Sequence, residues 1–439
     1  MAPPLPAHEL LVFLLQVGVL LCLAHLLGRI AARFGLPAIV GELLAGVLLG
    51  PSLFGWLAPG AAGWLLPHRP EQAHLLDALG QIGVLLLVGL TGMEMDLALL
   101  RRRKGTALKV SLAGIVVPLL PGIALAYPLV AMLHVRTPDT DVFALFLGVA
   151  MCVSAIPVIA KTLLDMNLIH RDVGQLTLAS GMVDDAFGWF MLSVVSAMAV
   201  GGMTAGKAGT ALLHLLLVVV AAVAAGRPLA GLLLRRAGGS DAAHVTITVI
   251  LLLLSAAATQ ALGLEAVFGA FVGGMVIGTR PGFDRSRLAG LRSLVLAFLA
   301  PVFFATAGLR IDLRALSHPA VLGAALLVLT TAVAGKFAGA YLGGRLSRLT
   351  RWESLALGAG MNARGVIEVI VAMVGLRLGI LDAASYTIIV LVAVVTSLMA
   401  PPVLRLTMGR VEHTAAERLR LTDRNGPAAG AQLPGKVTG

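Results

Sequence analysis

Thirteen apolar runs follow one another along the 439 residues, and short loops between them hold most of the charge. The runs lie at about 9–28, 36–57, 74–99, 107–133, 141–164, 173–200, 208–234, 243–262, 264–279, 288–310, 318–345, 353–377 and 383–408. At ~1.5 Å rise per residue, some twenty residues cross the ~30 Å hydrocarbon layer of a bilayer. Lipid offers no partner to a backbone N–H or C=O, so such a chain folds as a helix bundle. Composition supports this: 58% of residues are hydrophobic, 13% are charged and the mean hydropathy is +0.95. These values exclude the two or three soluble domains that this length could otherwise hold. The expected fold class is an all-α polytopic membrane protein with about 13 transmembrane helices. Residues 1–9 lack the basic n-region of a signal peptide, so the first run reads as a retained helix. The net charge of +11 is spread over loops without an aromatic-interleaved basic patch, which argues against a nucleic-acid partner.

The basic loops set an orientation. Arg29 and Arg33, Arg101–Lys104, Arg171, Arg235 and Arg236, Arg280–Arg287, and Arg345–Arg351 all follow odd-numbered runs. The intervening loops are poor in Lys and Arg. The N-terminus is therefore expected outside and the C-terminus in the cytoplasm, in a bacterial inner (cell) membrane. Residues 1–408 read as one transmembrane domain. Residues 409–439 read as a short polar cytoplasmic tail, mostly disordered.

An internal repeat runs through the apolar part. Leu36–Gly50 aligns with Leu264–Gly278, matching Gly41 with Gly269, Gly46 with Gly274 and Gly50 with Gly278. Gly92–Leu97 aligns with Gly308–Leu313, and Leu147–Met151 with Leu357–Met361. The matches pair run 2 with 9, 3 with 10 and 5 with 12. An offset of seven crossings is odd, so the halves, runs 2–6 and 9–13 with run 7 as linker, must be inverted. Inverted repeats are the mark of alternating-access transporters, with the substrate site at the repeat interface.

Charge inside the apolar runs is sparse and pointed. Asp184 and Asp185 sit side by side near the middle of the sixth run. A charge at that depth costs ~2.5–3.5 kcal/mol on insertion scales, and packing does not require it. Two adjacent acids repel, so one must hold its proton more tightly. Lys336, in the eleventh run, needs an acidic partner, and Asp184 or Asp185 is the obvious one. The fifth run contains Ser154-Ala-Ile-Pro157, and the twelfth contains Asn362-Ala-Arg364-Gly365 with Glu368 one turn on. Pro157 in one and the Asn362, Arg364 and Gly365 cluster in the other mark interrupted helices, whose freed backbone groups can line an ion site. Arg364 and Glu368 can pair at i, i+4. No HExxH motif or Cys/His cluster is present, so neither a metal nor a cofactor is expected. Adjacent aspartates point ~100° apart on a helix, which does not suit an aspartyl protease dyad.

These residues together resemble the monovalent cation:proton antiporters of the Kef-like second branch. The resemblance rests on Gly41–Pro51, Val183-Asp-Asp185, Pro301–Phe304 with Gly308, and Met361–Gly365 with Glu368, and it covers about residues 10–408. It implies a homodimer of 13-helix subunits, each with a dimerisation domain and a core domain. It also implies that Asp185 takes the ion or the protons and that Asp184 pairs with Lys336; Ser154, at the first interruption, is expected to join them in the ion site. The family's potassium members often differ at the first acid and carry a long nucleotide-binding domain, which favours Na⁺ over K⁺ here. The expected activity is exchange of a monovalent cation for H⁺ by alternating access. Two rival readings are a proton-coupled antiporter of an organic cation or metabolite, and an ion channel. The channel would need a continuous polar lining or a filter loop.

Overall fold

The computed structural model describes residues 6–66, 70–95, 97–133, 135, 139–201, 205–280, 283–414 and 417. Among them the chain is helical throughout. The helices are α1 (Ala7–Arg33), α2 (Ala38–Leu49), α3 (Phe54–Leu57), α4 (Pro59–Leu65), α5 (Pro70–Glu94), α6 (Leu97–Leu133), α7 (Thr140–Cys152), α8 (Ile156–Asp165), α9 (Asp172–Gly201) and α10 (Ala205–Ala221). They continue with α11 (Arg227–Arg236), α12 (Asp241–Ala261), α13 (Ala266–Gly278), α14 (Ala289–Leu294), α15 (Ala300–Gly308), α16 (Pro319–Leu346), α17 (Arg351–Met361), α18 (Val366–Arg377) and α19 (Ala383–Met408).

Among the described residues ten helices are long and apolar enough to span a membrane, or eleven if α17 and α18 count as one span bent by 44°. The count falls short of the thirteen expected, for two local reasons. The fifth run is not one helix but two, α7 and α8, parted at Val153–Ala155. The ninth is α13, only 13 residues long. It starts after a turn that Gly263 makes at φ 75°, and it ends before Pro281.

Two groups of helices emerge from the packing. In the first, α1, α2, α5, α12, α13 and α15 pack on one another. In the second, α6, α7, α9, α16, α17, α18 and α19 do so. Glycine lets backbones touch in both. Gly335, Gly339 and Gly343 form one stripe on α16, and a Cβ on any of them would collide with α6 at Pro118, Ala113 or Val110. That approach brings Lys336 against the α6 backbone.

In the first group the close contacts come in matched sets. A Cβ at Gly46 would strike the Ala305 carbonyl, and one at Gly274 the Gly89 carbonyl. Gly308 abuts the Leu43 carbonyl as Gly92 abuts that of Phe271. Gly41 lies on the Leu27 carbonyl as Gly269 lies on that of Ser255. Each contact of α2 with α15 or α1 thus has its counterpart in α13 with α5 or α12.

The first residues of the tail depart from the expected disorder. The Arg171 side chain, just before α9, is 4% exposed and lies 3.1 Å from Glu417, which is 2% exposed. Arg171 also donates to the Val411 carbonyl at 2.9 Å and the Glu412 carbonyl at 3.1 Å, and Glu417 accepts from the Asp172 amide at 2.6 Å. Residues 418–439 lie outside the described residues.

Candidate ion site

The site lies where α9 passes the two helix breaks. Asp184 and Asp185 follow one another on α9, and both are fully buried. Their surroundings differ completely. Asp184 Oδ1 accepts from the Ser111 hydroxyl of α6. Its Oδ2 meets Lys336 Nζ at 2.5 Å and the Ser154 hydroxyl at 3.0 Å. Lys336 carries three N–H donors and has three acceptors: Asp184, the Gly114 carbonyl at 3.2 Å and the Cys152 carbonyl. The ammonium is saturated, and both oxygens of its carboxylate have partners. Asp185, by contrast, has no hydrogen-bond partner at either oxygen. The Ile156 amide at the head of α8 acts on it electrostatically, yet outside hydrogen-bond geometry.

Both breaks have local causes. Val153 turns extended at φ −72°, ψ 145°, ending α7. Pro157 then falls in the first turn of α8, where a missing N–H costs nothing; its side chain is outside the described residues. In the second break Gly365 takes φ 123°, ψ −105°, a region for glycine alone. The two breaks are tied to each other by the Ala155 amide, which donates to the Ala363 carbonyl at 3.1 Å.

Side chains make reciprocal crossings. The Ser154 hydroxyl lies 2.8 Å from the Met361 carbonyl, at the end of α17. Its single proton can serve either Met361 or Asp184, but not both at once. Arg364 Nη2 donates to the Met151 carbonyl at 2.6 Å and the Ala332 carbonyl at 3.0 Å. Arg364 Nη1 donates to the Ala150 carbonyl at 3.0 Å and lies 3.3 Å from Glu368. One oxygen of Glu368 and both amide atoms of the buried Asn362 have no hydrogen-bond partner.

The structure thus gathers Asp184, Ser154 and Lys336 in direct contact, with Asp185 adjoining on α9. Arg364 and Glu368 pair at the foot of α7. Sequence reasoning missed Ser111, because a lone serine in an apolar run carries no signal until its neighbour is known. It also missed the buried Glu265, which accepts from Ser196 of α9 at 2.5 Å and pairs with Arg377 at 2.5 Å. At the far end of α9, burial alone would raise the Glu417 carboxyl. The Asp172 and Thr414 amides and the Arg171 charge outweigh burial and hold it below the usual glutamate range. No group of three or more His, Cys, Asp or Glu among the described residues could hold a metal ion.

With this geometry in hand, likeness to known proteins is informative. Residues 18–409 match the family model described as "Sodium/hydrogen exchanger, transmembrane". The Na(+)/H(+) antiporter NhaS4 of Synechocystis is 32% identical over 90% of this chain and 97% of its own length. The Na(+)/H(+)-K(+) antiporter GerN of Bacillus cereus is 26% identical over 90% and 96%. Cation/H(+) antiporter 15 of Arabidopsis thaliana is 29% identical, but this chain spans only 50% of it. The solved sodium proton antiporter MjNhaP1 of Methanocaldococcus jannaschii shares the fold, with a TM-score of 0.66 over 91% of this chain and 99% of that one at 17% identity. This integral membrane protein therefore belongs to the sodium/hydrogen exchanger family and is a secondary active antiporter, not an enzyme, that exchanges a monovalent cation for H⁺ by alternating access.

Proposed function

We propose that Asp185 is the group for which cation and proton compete, and that the cation is Na⁺ in preference to K⁺. One observation carries the assignment: both Asp185 oxygens are buried and unpartnered, whereas those of its neighbour Asp184 are taken. A protonated carboxyl cannot coordinate a cation, and a bound cation disfavours the proton, so the two loads exclude each other. Asp184, held by Lys336 and Ser111, is the fixed charge pair behind the site. Ser154 and the unpartnered amide of Asn362 are candidate oxygen donors beside it. Sodium is favoured by the paired acids and by the name of the full-length relative from Synechocystis.

The same reading makes the architecture thirteen crossings in two inverted repeats. The matched glycine contacts of α2 with α15 and of α13 with α5 support it. So do the reciprocal reaches of Ser154 to Met361 and of Arg364 to Met151. The two helix groups then serve as scaffold and moving core, the N-terminus lies outside, and a homodimer joins through the first three and the eighth to tenth runs.

Proteoliposomes with a trapped pH dye test this. Na⁺, K⁺, Li⁺ and an organic cation are added in turn to the wild type and to Asp185→Asn. The expected result is a Na⁺-dependent pH change in the wild type and only the protein-free baseline in the variant. Normal exchange by Asp185→Asn would place the site elsewhere. A response to the organic cation alone would replace the substrate.

A further inference from the structure

Away from the ion site, two cavities lie end to end along α11 and α13. The first, about 210 Å³, lies between the stretch from α10 to α11, α12 and α13. Its walls are mostly small or apolar, with Ala221, Ala222, Gly226, Ala258, Gly269 and Gly273 among them. Ala222–Gly226 form a π-helical turn, which sets an extra residue into that wall; such turns are rare and cluster at functional places.

The second cavity, about 520 Å³, is of opposite character and is lined by Arg235, Arg280, Arg287, His244 and Asp284, with Leu234 and Phe283. No residue lines both, but they adjoin along the same two helices. On α11, Ala230 lines the first and Leu234, one turn on, lines the second. Ile277, near the end of α13, lines the first, and Arg280 follows three residues later. Arg280 sits at the junction and donates to the Ala230 carbonyl at 3.1 Å and the Gly231 carbonyl at 3.3 Å. That uses two of its five N–H groups.

The charge of the second cavity is not balanced from within. Among the described residues Asp284 is the only acid that lines it, and its carboxylate is held ionised by the Ser286 hydroxyl and amide. It lies 3.8 Å from Arg287, which also donates to the Gly238 carbonyl at 3.1 Å. Three guanidiniums thus face one carboxylate, and Arg235 lies close enough to Arg280 to repel it. An apolar slot between membrane-spanning helices, with a cationic pocket adjoining it, matches a molecule with an apolar chain and an anionic head.

We propose that these two cavities are one binding site for an anionic phospholipid, with its phosphate among Arg235, Arg280 and Arg287 and an acyl chain between the π-helical turn and α13. This site is independent of the ion site and does not rest on the role given to Asp185. The basic pocket supplies phosphate contacts of the charge-assisted kind. The slot supplies burial of acyl-chain methylenes.

Purified, delipidated protein in mild detergent provides the test. Binding is read by native mass spectrometry and by the shift in thermal unfolding midpoint. The probes are phosphatidylglycerol, phosphatidylcholine with the same chains, and glycerol phosphate. Phosphatidylglycerol is expected to bind at least tenfold more tightly than phosphatidylcholine and to raise the midpoint, with glycerol phosphate without effect at the same concentration. Arg235→Gln and Arg287→Gln, which leave the Arg280 contacts to α11 intact, should each reduce the preference several-fold. Ala258→Phe, which fills the slot, should weaken phosphatidylglycerol at unchanged head-group charge. Equal binding of the two lipids, full effect from glycerol phosphate alone, or unchanged preference in both arginine variants would overturn the assignment.

Discussion

The two interrupted helices reach for each other in the same way but with different chemistry. From the first break, Ser154 extends a hydroxyl to the carbonyl that ends α17. From the second, Arg364 extends a guanidinium to the carbonyls that end α7. A helix C-terminus carries roughly half a negative charge. At α7 that charge is more than met, because Arg364 covers Ala150 and Met151 and Lys336 covers Cys152. At α17 only a neutral hydroxyl answers, and it must also serve Asp184. Asp185, near the head of α8, is a second buried acid whose oxygens have no hydrogen-bond partner. Two nearly identical half-helix ends thus differ in where positive charge is fixed and where it is left to be supplied. Under the assignment proposed above, a mobile cation binds on the side that the protein leaves negative.

Lys336 is the strongest handle on this difference. Lys336→Met leaves Asp184 buried and charged without a counter-ion, at a cost of about 3–5 kcal/mol. Asp184→Asn strands the ammonium in the same way. The double variant Asp184→Asn, Lys336→Met should be more stable than Lys336→Met alone. A double-mutant cycle on thermal unfolding measures the coupling directly. Additive losses would show that the pair does not hold the first crossing together, and the contrast with Asp185 would lose its basis.

Much of this arrangement was legible in the sequence, and for a consistent physical reason. Asp184, Asp185, Lys336, Arg364 and Glu368 are costly in an apolar run, so their presence alone marks them. The glycines that align between the halves were visible because only glycine permits such close backbone approach. Ser111 could not be read, since a hydroxyl in a membrane helix satisfies itself on its own backbone as readily as on a distant carboxylate. Which acid Lys336 chooses was also out of reach: Asp184 and Asp185 differ only in the direction they leave α9, and that depends on how α6 and α16 pack. The division of the fifth run was expected from Pro157, and α7 and α8 part at Val153–Ala155. The burial of Glu417 against Arg171 was missed because a polar tail looks the same whether it is docked or free.

The exchange of reaches can itself be broken from either side. Arg364→Gln removes charged donors from the end of α7 and leaves Glu368 buried without its partner. A loss of about 2–3 kcal/mol is expected from charge-assisted bonds of this kind. Ser154→Ala removes one neutral hydroxyl, at about 1 kcal/mol. If function follows the uncompensated side, the order reverses in transport. Ser154→Ala should then raise the half-saturating Na⁺ concentration several-fold at nearly unchanged stability. Equal effects of the two variants in both assays would mean that the crossings are equivalent.

The smallest expected difference between paired variants lies in the backbone. The first break is made with ordinary dihedrals, since Val153 is simply extended, and any residue could adopt them. The second depends on Gly365, whose φ of 123° is closed to side chains. A Cβ there would also come within 3.0 Å of Ser397 Oγ and of Val158 Cγ2. The Ser397 hydroxyl lies 3.0 Å from the Arg364 carbonyl and 2.7 Å from that of Ala393, so it cannot move aside without disturbing these contacts. Gly263 offers a control: its φ of 75° is left-handed too, but no neighbouring atom lies within 4 Å of a Cβ placed on it. Gly263→Ala should cost about 1 kcal/mol, the ordinary left-handed penalty. Gly365→Ala should cost about 1 kcal/mol more, and should lower the exchange rate as Gly263→Ala does not. Equal costs with normal exchange in both would mean that the second break relaxes freely, and its asymmetry with the first would then reside in side-chain charge alone.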